Sequence, residues 1–257
     1  MSRGSQMLQL FLIVHVAGAT VALFAGMTAM AVAKGGFAHR RAGAVFAIAM
    51  LTMCGSALII AVARAQSINI VAATLTAYLV ATALTTLRSP TVTVRRLDRG
   101  LMLTALTAGV AAAATAAAAA GPYRAPLLMF ALLGVLGAVG DFKALRAVRL
   151  AGAPRLSRHL WRMSLAMLIA TMSFFLGPRG RVEAVLPDVL ATTPVLMLPV
   201  LAVLLTMFSW LYRVHGKALP AVVSSAPEGA DEEACVAARG DPDLRCNPGG
   251  PVDGRRR

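Results

Sequence analysis

The sequence predicts an all-α fold, a polytopic integral membrane bundle of seven transmembrane helices with its N-terminus outside and its C-terminus inside. Three observations carry that expectation. Of the 257 residues, 58% are hydrophobic and only 14% charged, where a soluble domain carries about 25% charged residues. Seven apolar runs follow one another along the chain, and a bilayer core takes about 20 such residues per helix. Lys and Arg concentrate in alternate loops, the pattern that marks cytoplasmic segments.

The first span covers residues 7–33. Gly18, Ala22 and Gly26 share one stripe of it, and small residues let a neighbouring helix come close. Ala31-Val32-Ala33 mimics a signal-peptidase site. The apolar stretch is longer than the roughly 7–15 residues of a signal-peptide core, so it is expected to remain as a helix. Lys34 to Gly43, KGGFAHRRAG, reads as a glycine-rich basic turn before the second span at 42–63. The third span, 68–87, is polar for its setting, with Asn69, Thr74, Thr76, Tyr78, Thr82 and Thr85. Arg88 to Gly100 reads as a loop holding Pro90 and four arginines.

The fourth span, 101–120, ends in an alanine run. Alanine is a strong helix former but only weakly hydrophobic, so this helix is expected to be shielded by others. The fifth span, 125–142, repeats glycine at 134, 137 and 140 and then presents Asp141. A basic loop, 143–158, leads to the sixth span at 159–177. There Arg162, Ala166, Ala170, Ser173 and Gly177 share one face, and Trp161 sits where an interfacial aromatic belongs. Residues 178–186 read as a loop. Pro194 and Pro199 are expected to kink the seventh span, 187–212, or to delay its start. Residues 1–216 thus form the membrane domain, and 217–257 are expected to be a disordered cytoplasmic tail without apolar periodicity.

The tail holds seven acids and six bases, so the membrane domain carries the whole positive excess. Fourteen of its Lys and Arg residues belong to the first, third and fifth loops, the start of the sixth span (Arg162) and the last span's end, against five on the other side. That asymmetry places those loops in the cytoplasm. It also excludes nucleic acid as a partner, since the basic residues sit at the ends of apolar runs and not on one polar face. Anionic lipid headgroups are the partner such ends suit. Cys54, Cys235 and Cys246 have neither disulfide nor zinc spacing, and Cys54, inside a span, reads as a small packing residue.

No catalytic signature stands out, which leans away from an enzyme, and no metal site is assigned. His39, His159 and His215 map to the cytoplasmic boundary, while His15 lies alone about two turns inside the first span. Two histidines on facing helices can hold haem b. His15 and His39 are about 25 Å apart along a helix and cannot share one iron. His39 with His159, or either with His215, can. The alternative is that these boundary histidines are solvated anchors beside Arg40, Arg41, Arg158 and Arg162. Those arginines repel a bare cation but suit haem propionates, phosphates or lipid heads. His15 reads as a structural hydrogen bond or a ligand.

Arg162 cannot be neutralised. It must snorkel to the headgroups or pair with an acid inside the bundle. Asp141 is the acid at matching depth, since the fifth and sixth spans run antiparallel. A contact is expected, direct or through Arg146 or His159, with Arg40 and Arg41 as other partners for Asp141. It reads as a structural ion pair or as a proton or substrate site.

KGGFAHRRAG, INIVAATLTAYL (68–79), Gly140-Asp141 with Leu145-Arg146, and RHLWRM through SFFLG (158–177) occur in that order. By these stretches residues 10–213 resemble a family of bacterial multi-pass membrane proteins catalogued as a domain of unknown function. The resemblance implies a helical inner-membrane bundle and no reaction. It singles out His39, Arg40, Asp141, His159 and Arg162 as motif positions. Two functions are therefore expected as alternatives. One is a protein that binds, senses or moves a small anionic or lipid-like ligand at a basic cytoplasmic mouth. The other is a haem-linked electron-transfer protein using the boundary histidines.

Overall fold

Seven helices account for nearly all of residues 3–119, 121–147, 151–177 and 192–216, the residues described by this computed structural model. They are α1 (Arg3–Ala31), α2 (Phe37–Ala63), α3 (Ser67–Thr86), α4 (Val92–Ala118), α5 (Arg124–Arg146), α6 (Gly152–Phe175) and α7 (Thr193–Gly216). The chain divides into Met1–Val214 and His215–Arg257. Only His215 and Gly216 of the second unit are described. The expected tail with Cys235 and Cys246, the loop at 178–186 and residues 187–191 lie outside the described residues.

Several helices begin earlier or end later than the apolar runs. His39, Arg40 and Arg41 belong to the first turn of α2 and not to a turn before it. α4 starts at Val92, where Thr91 Oγ1 accepts from Val94 N at 3.3 Å as an N-cap. Arg95, Arg96, Asp98 and Arg99, expected in a loop, are helical. The physical reason is that hydrogen bonding along the backbone does not stop where hydropathy falls, and Arg, Leu and Lys are good helix formers. α7 begins at Thr193, with Pro194 in its first turn, where a missing N–H costs nothing. Pro199 lies inside the helix.

Six of the seven helices are long and apolar enough to cross a membrane. α6 is not among them, because Arg155, Arg158, His159 and Arg162 occupy its first three turns. The outward faces are apolar: Phe24 is 70% exposed and Leu205 69%, with Ile13, Ile48 and Leu132 similarly bare. The fully buried side chains include Asp141 at 0% and Arg162 at 1%. Charge inside and leucine outside is the reverse of a soluble protein. It suits a helical membrane protein, whose surroundings are hydrocarbon.

α3 is the hub, touching α2, α4, α5 and α6, while α1 pairs with α2 and α4 with α5. Leu75, Leu79, Val80 and Ala83 of α3 are wholly buried. Gly26 of α1 faces α2 and α6 so closely that a Cβ there would lie 2.7 Å from Met167 Sδ and 2.9 Å from the Phe46 ring. α4 departs from expectation. It fully buries only Ala105, Gly109, Ala112 and Ala116, with Leu101 and Ala108 half-buried against the core, and much of its alanine-rich surface is exposed. One small-residue stripe is all that the α4–α5 crossing covers.

Two histidines fasten the α1–α2 pair. His15 Nδ1 donates to Met53 O at 3.1 Å, and His39 Nδ1 donates to Ala29 O at 3.0 Å. A carbonyl only accepts, so the proton is assigned to Nδ1 in both rings. Lys34 caps α1 through Ala29 O and Met30 O at 2.9 and 2.6 Å and lies 4.9 Å from the Trp210 ring of α7. Val200 and Val203 carry α7 into the core.

Candidate functional site

The glycine face of α5 shapes the centre of the site. A Cβ at Gly137 would lie 2.8 Å from Tyr78 Oη, so only glycine there lets the α3 phenol lie against α5. One turn later comes Asp141. Its Oδ2 accepts from Tyr78 Oη at 2.6 Å, and its Oδ1 accepts from Arg158 Nη2 at 2.7 Å and from Arg162 Nη2. Arg158 and Arg162 are four residues apart on α6, hence on one face. The Arg162 guanidinium is held over two aromatic rings, Tyr78 at 5.2 Å and Trp161 at 5.0 Å, a cation–π setting. Two guanidinium groups thus share one buried carboxylate, a net positive charge. Arg158 Nε and Arg162 Nε and Nη1 are buried with no acceptor among the described residues.

Arg158 is the member that reaches outward, with its side chain 13% exposed. Its Nη1 donates to Thr86 Oγ1 at 2.7 Å. With Arg88, Arg95, Arg155 and Asp98 it lines a cavity of about 60 Å³ where α3, α4, α5 and α6 come together at one end. α3 and α5 both finish there, and each leaves carbonyls without a helical partner. Arg155 takes those of α3, donating from Nε to Thr86 O at 2.9 Å and from Nη2 to Leu87 O. Arg95 takes those of α5, donating to Leu145 O and, at 3.5 Å, to Ala147 O. Asp98 Oδ1 accepts from Thr85 Oγ1 at 2.6 Å. Arg88, exposed between α3 and α4, lines the cavity.

Of the residues singled out from sequence, Asp141 and Arg162 meet directly. His159 lies beside them on α6 and turns to α3, donating from Nδ1 to Ala83 O at 3.0 Å. Arg40 is exposed in the first turn of α2, and Arg41 stacks on Phe37 at 4.9 Å. Neither is an ion-pair partner of Asp141, whose two are Arg158 and Arg162. Arg146 stacks on Phe142 at 4.3 Å and does not bridge. His15 lies far along α1 on the Met53 carbonyl, and His215 stands one residue before the end of α7. Among the described residues no three His, Cys, Asp or Glu side chains gather as a metal site.

Sequence reasoning missed Tyr78 as a partner of Asp141. The available signal was a phenol in mid-span, which needs a hydrogen-bond partner when buried. The polarity of the third span is largely spent within its own helix: Thr74, Thr76 and Thr82 donate to carbonyls four residues back. No family model, curated protein or solved structure matches this chain.

Proposed function

We propose that the protein binds a small anionic or lipid-like ligand in the arginine-lined cavity, at the cytoplasmic mouth of a seven-span, N-out, C-in bundle of a bacterial inner membrane. This reading keeps the chain in the family its motifs resemble. The observation that carries it is the gathering of Arg88, Arg95, Arg155 and Arg158 around one cavity with a single carboxylate, Asp98, in its lining. A purely structural reading explains Arg95 and Arg155, which cap helix ends. It does not explain Arg88, an exposed residue of the lining that caps no helix end among the described residues. Like charges gathered around one cavity repel, and an anion relieves that repulsion.

Support for the orientation comes from the same cluster. The basic third and fifth connections meet at this end, through Arg95 on Leu145 O and Arg155 on Leu87 O. The arginines that lower the hydropathy of α6 turn to Asp141, Thr86 and helix-end carbonyls, so α6 fits as the seventh span. A ligand that binds only the folded protein raises its unfolding temperature. At least one small anion should do so for the wild type and lose most of the effect with Arg88→Glu. With Cys54, Cys235 and Cys246 replaced by Ser, a Ser89→Cys variant should react with an impermeant maleimide from the cytoplasmic face alone. No anion-dependent shift, or labelling from the opposite face, counts against the reading.

A second reading, haem-linked electron transfer, rests on His39 and His159. Both commit Nδ1 to backbone carbonyls, leaving Nε2 for a ligand. It expects a Soret band from the purified protein, and a colourless protein removes it.

A further inference from the structure

Resting on the anion-binding reading of the mouth, we infer that its ligand is a doubly charged tetrahedral oxyanion, a phosphate or phosphomonoester group, and not a monoanion such as a carboxylate or halide. Charge comes first. The connected cluster holds five guanidinium groups, those of Arg88, Arg95, Arg155, Arg158 and Arg162. Against them stand two carboxylates, Asp98 and Asp141. The C-terminal ends of α3 and α5, about half a negative charge each, are offset by the N-terminal ends of α4 and α6, which begin at the same end. About three positive charges remain, and a dianion offsets more of them than a carboxylate or a halide does.

Shape and size point the same way. The four arginines come from the connection before α4, from α4 itself and from α6, so they approach the cavity from several sides. A planar carboxylate presents two oxygens in one plane, whereas a phosphate group presents oxygens in every direction. A water-sized atom needs about 10–15 Å³ of such space. The cavity of about 60 Å³ therefore takes roughly four to six, room for the oxygens of a phosphate group. Arg158, whose side chain is 13% exposed, supplies an inner positive charge. Arg88, exposed and outside the helices, supplies an outer one.

The test uses the purified full-length protein and calorimetric titration with inorganic phosphate, sulfate, acetate and chloride. Phosphate and sulfate should bind at least about tenfold more tightly than acetate and chloride. Arg88→Gln should weaken phosphate about tenfold, one charge-assisted hydrogen bond's worth, with unfolding unchanged. Methyl phosphate should gain affinity as pH rises through its second ionisation, at about pH 6, while sulfate should not. Phosphatidylcholine nanodiscs with and without phosphatidic acid separate the two sources of the group. Competition between phosphatidic acid and inorganic phosphate assigns the ligand to a lipid headgroup, and undiminished phosphate binding assigns it to free phosphate. Equal binding of acetate or chloride, lost with Arg88→Gln, overturns the dianion while the anionic mouth stands, and phosphate affinity unchanged by Arg88→Gln overturns the mouth as its site. Binding of no anion at all overturns both.

Discussion

Asp141→Asn should destabilise the bundle by about 3–5 kcal/mol, the cost of leaving a buried charge without its partner. The substitution preserves shape and the Tyr78 contact but removes the one ion-pair partner of both Arg158 and Arg162. Arg162 suffers most. It is 1% exposed and already has two nitrogens, Nε and Nη1, without acceptors among the described residues. Arg162→Gln should cost less, because Asp141 keeps Arg158 and the Tyr78 hydroxyl. The double variant should recover about 0.5–3 kcal/mol relative to the sum of the single effects, as groups in one network do. Thermal unfolding in a fixed detergent measures all three. Strict additivity would show that the pair is not coupled in the folded protein.

Gly134→Leu should prevent α4 and α5 from packing, and Gly134→Ala should already fall at or beyond the upper end of the about 1–3 kcal/mol typical of overpacking. A Cβ at Gly134 would lie 2.6 Å from Ala105 O, 2.7 Å from Gly109 Cα and 2.9 Å from Gly109 N. All three are backbone atoms of α4, so relief requires moving the helix and not turning a side chain. Gly140 on the same helix has nothing within 4 Å of a Cβ. Gly140→Ala should therefore be neutral or gain up to about 1 kcal/mol of helix propensity. Gly137→Ala should fall between them, displacing the Tyr78 hydroxyl from Asp141. Monodisperse yield and unfolding temperature rank the three. A Gly134→Leu protein that melts like the wild type would sink the glycine-to-glycine crossing.

The Asp141–Arg162 contact was legible because only local facts enter it. Depth along a helix follows from residue count, and two consecutive antiparallel helices joined by a short connection must put equal depths side by side. The small-residue stripes at Ala22, Gly26, Gly134 and Ala166 were legible for a similar reason, since helical periodicity alone places them on one face. The shielding of α4 was misjudged because weak hydrophobicity says nothing about which helix sits at the edge.

The all-helical architecture and the positions of the apolar runs can be read from residue order. They depend on the chain's local covalent order and on backbone hydrogen bonds that every membrane-embedded segment must satisfy internally. Which residues meet across helices is set by the packing of the whole bundle. Tyr78 reaches Asp141 across 63 residues, Arg155 reaches Thr86 across 69, and Arg95 reaches Leu145 across 50. Such pairings depend on the order of helices around the bundle and the rotation of each about its axis. Hydropathy is nearly blind to both, because lipid and the bundle interior are equally apolar. Close packing at Gly109, Gly134 and Gly137 sets those rotations, and with them the convergence of four arginines on one cavity.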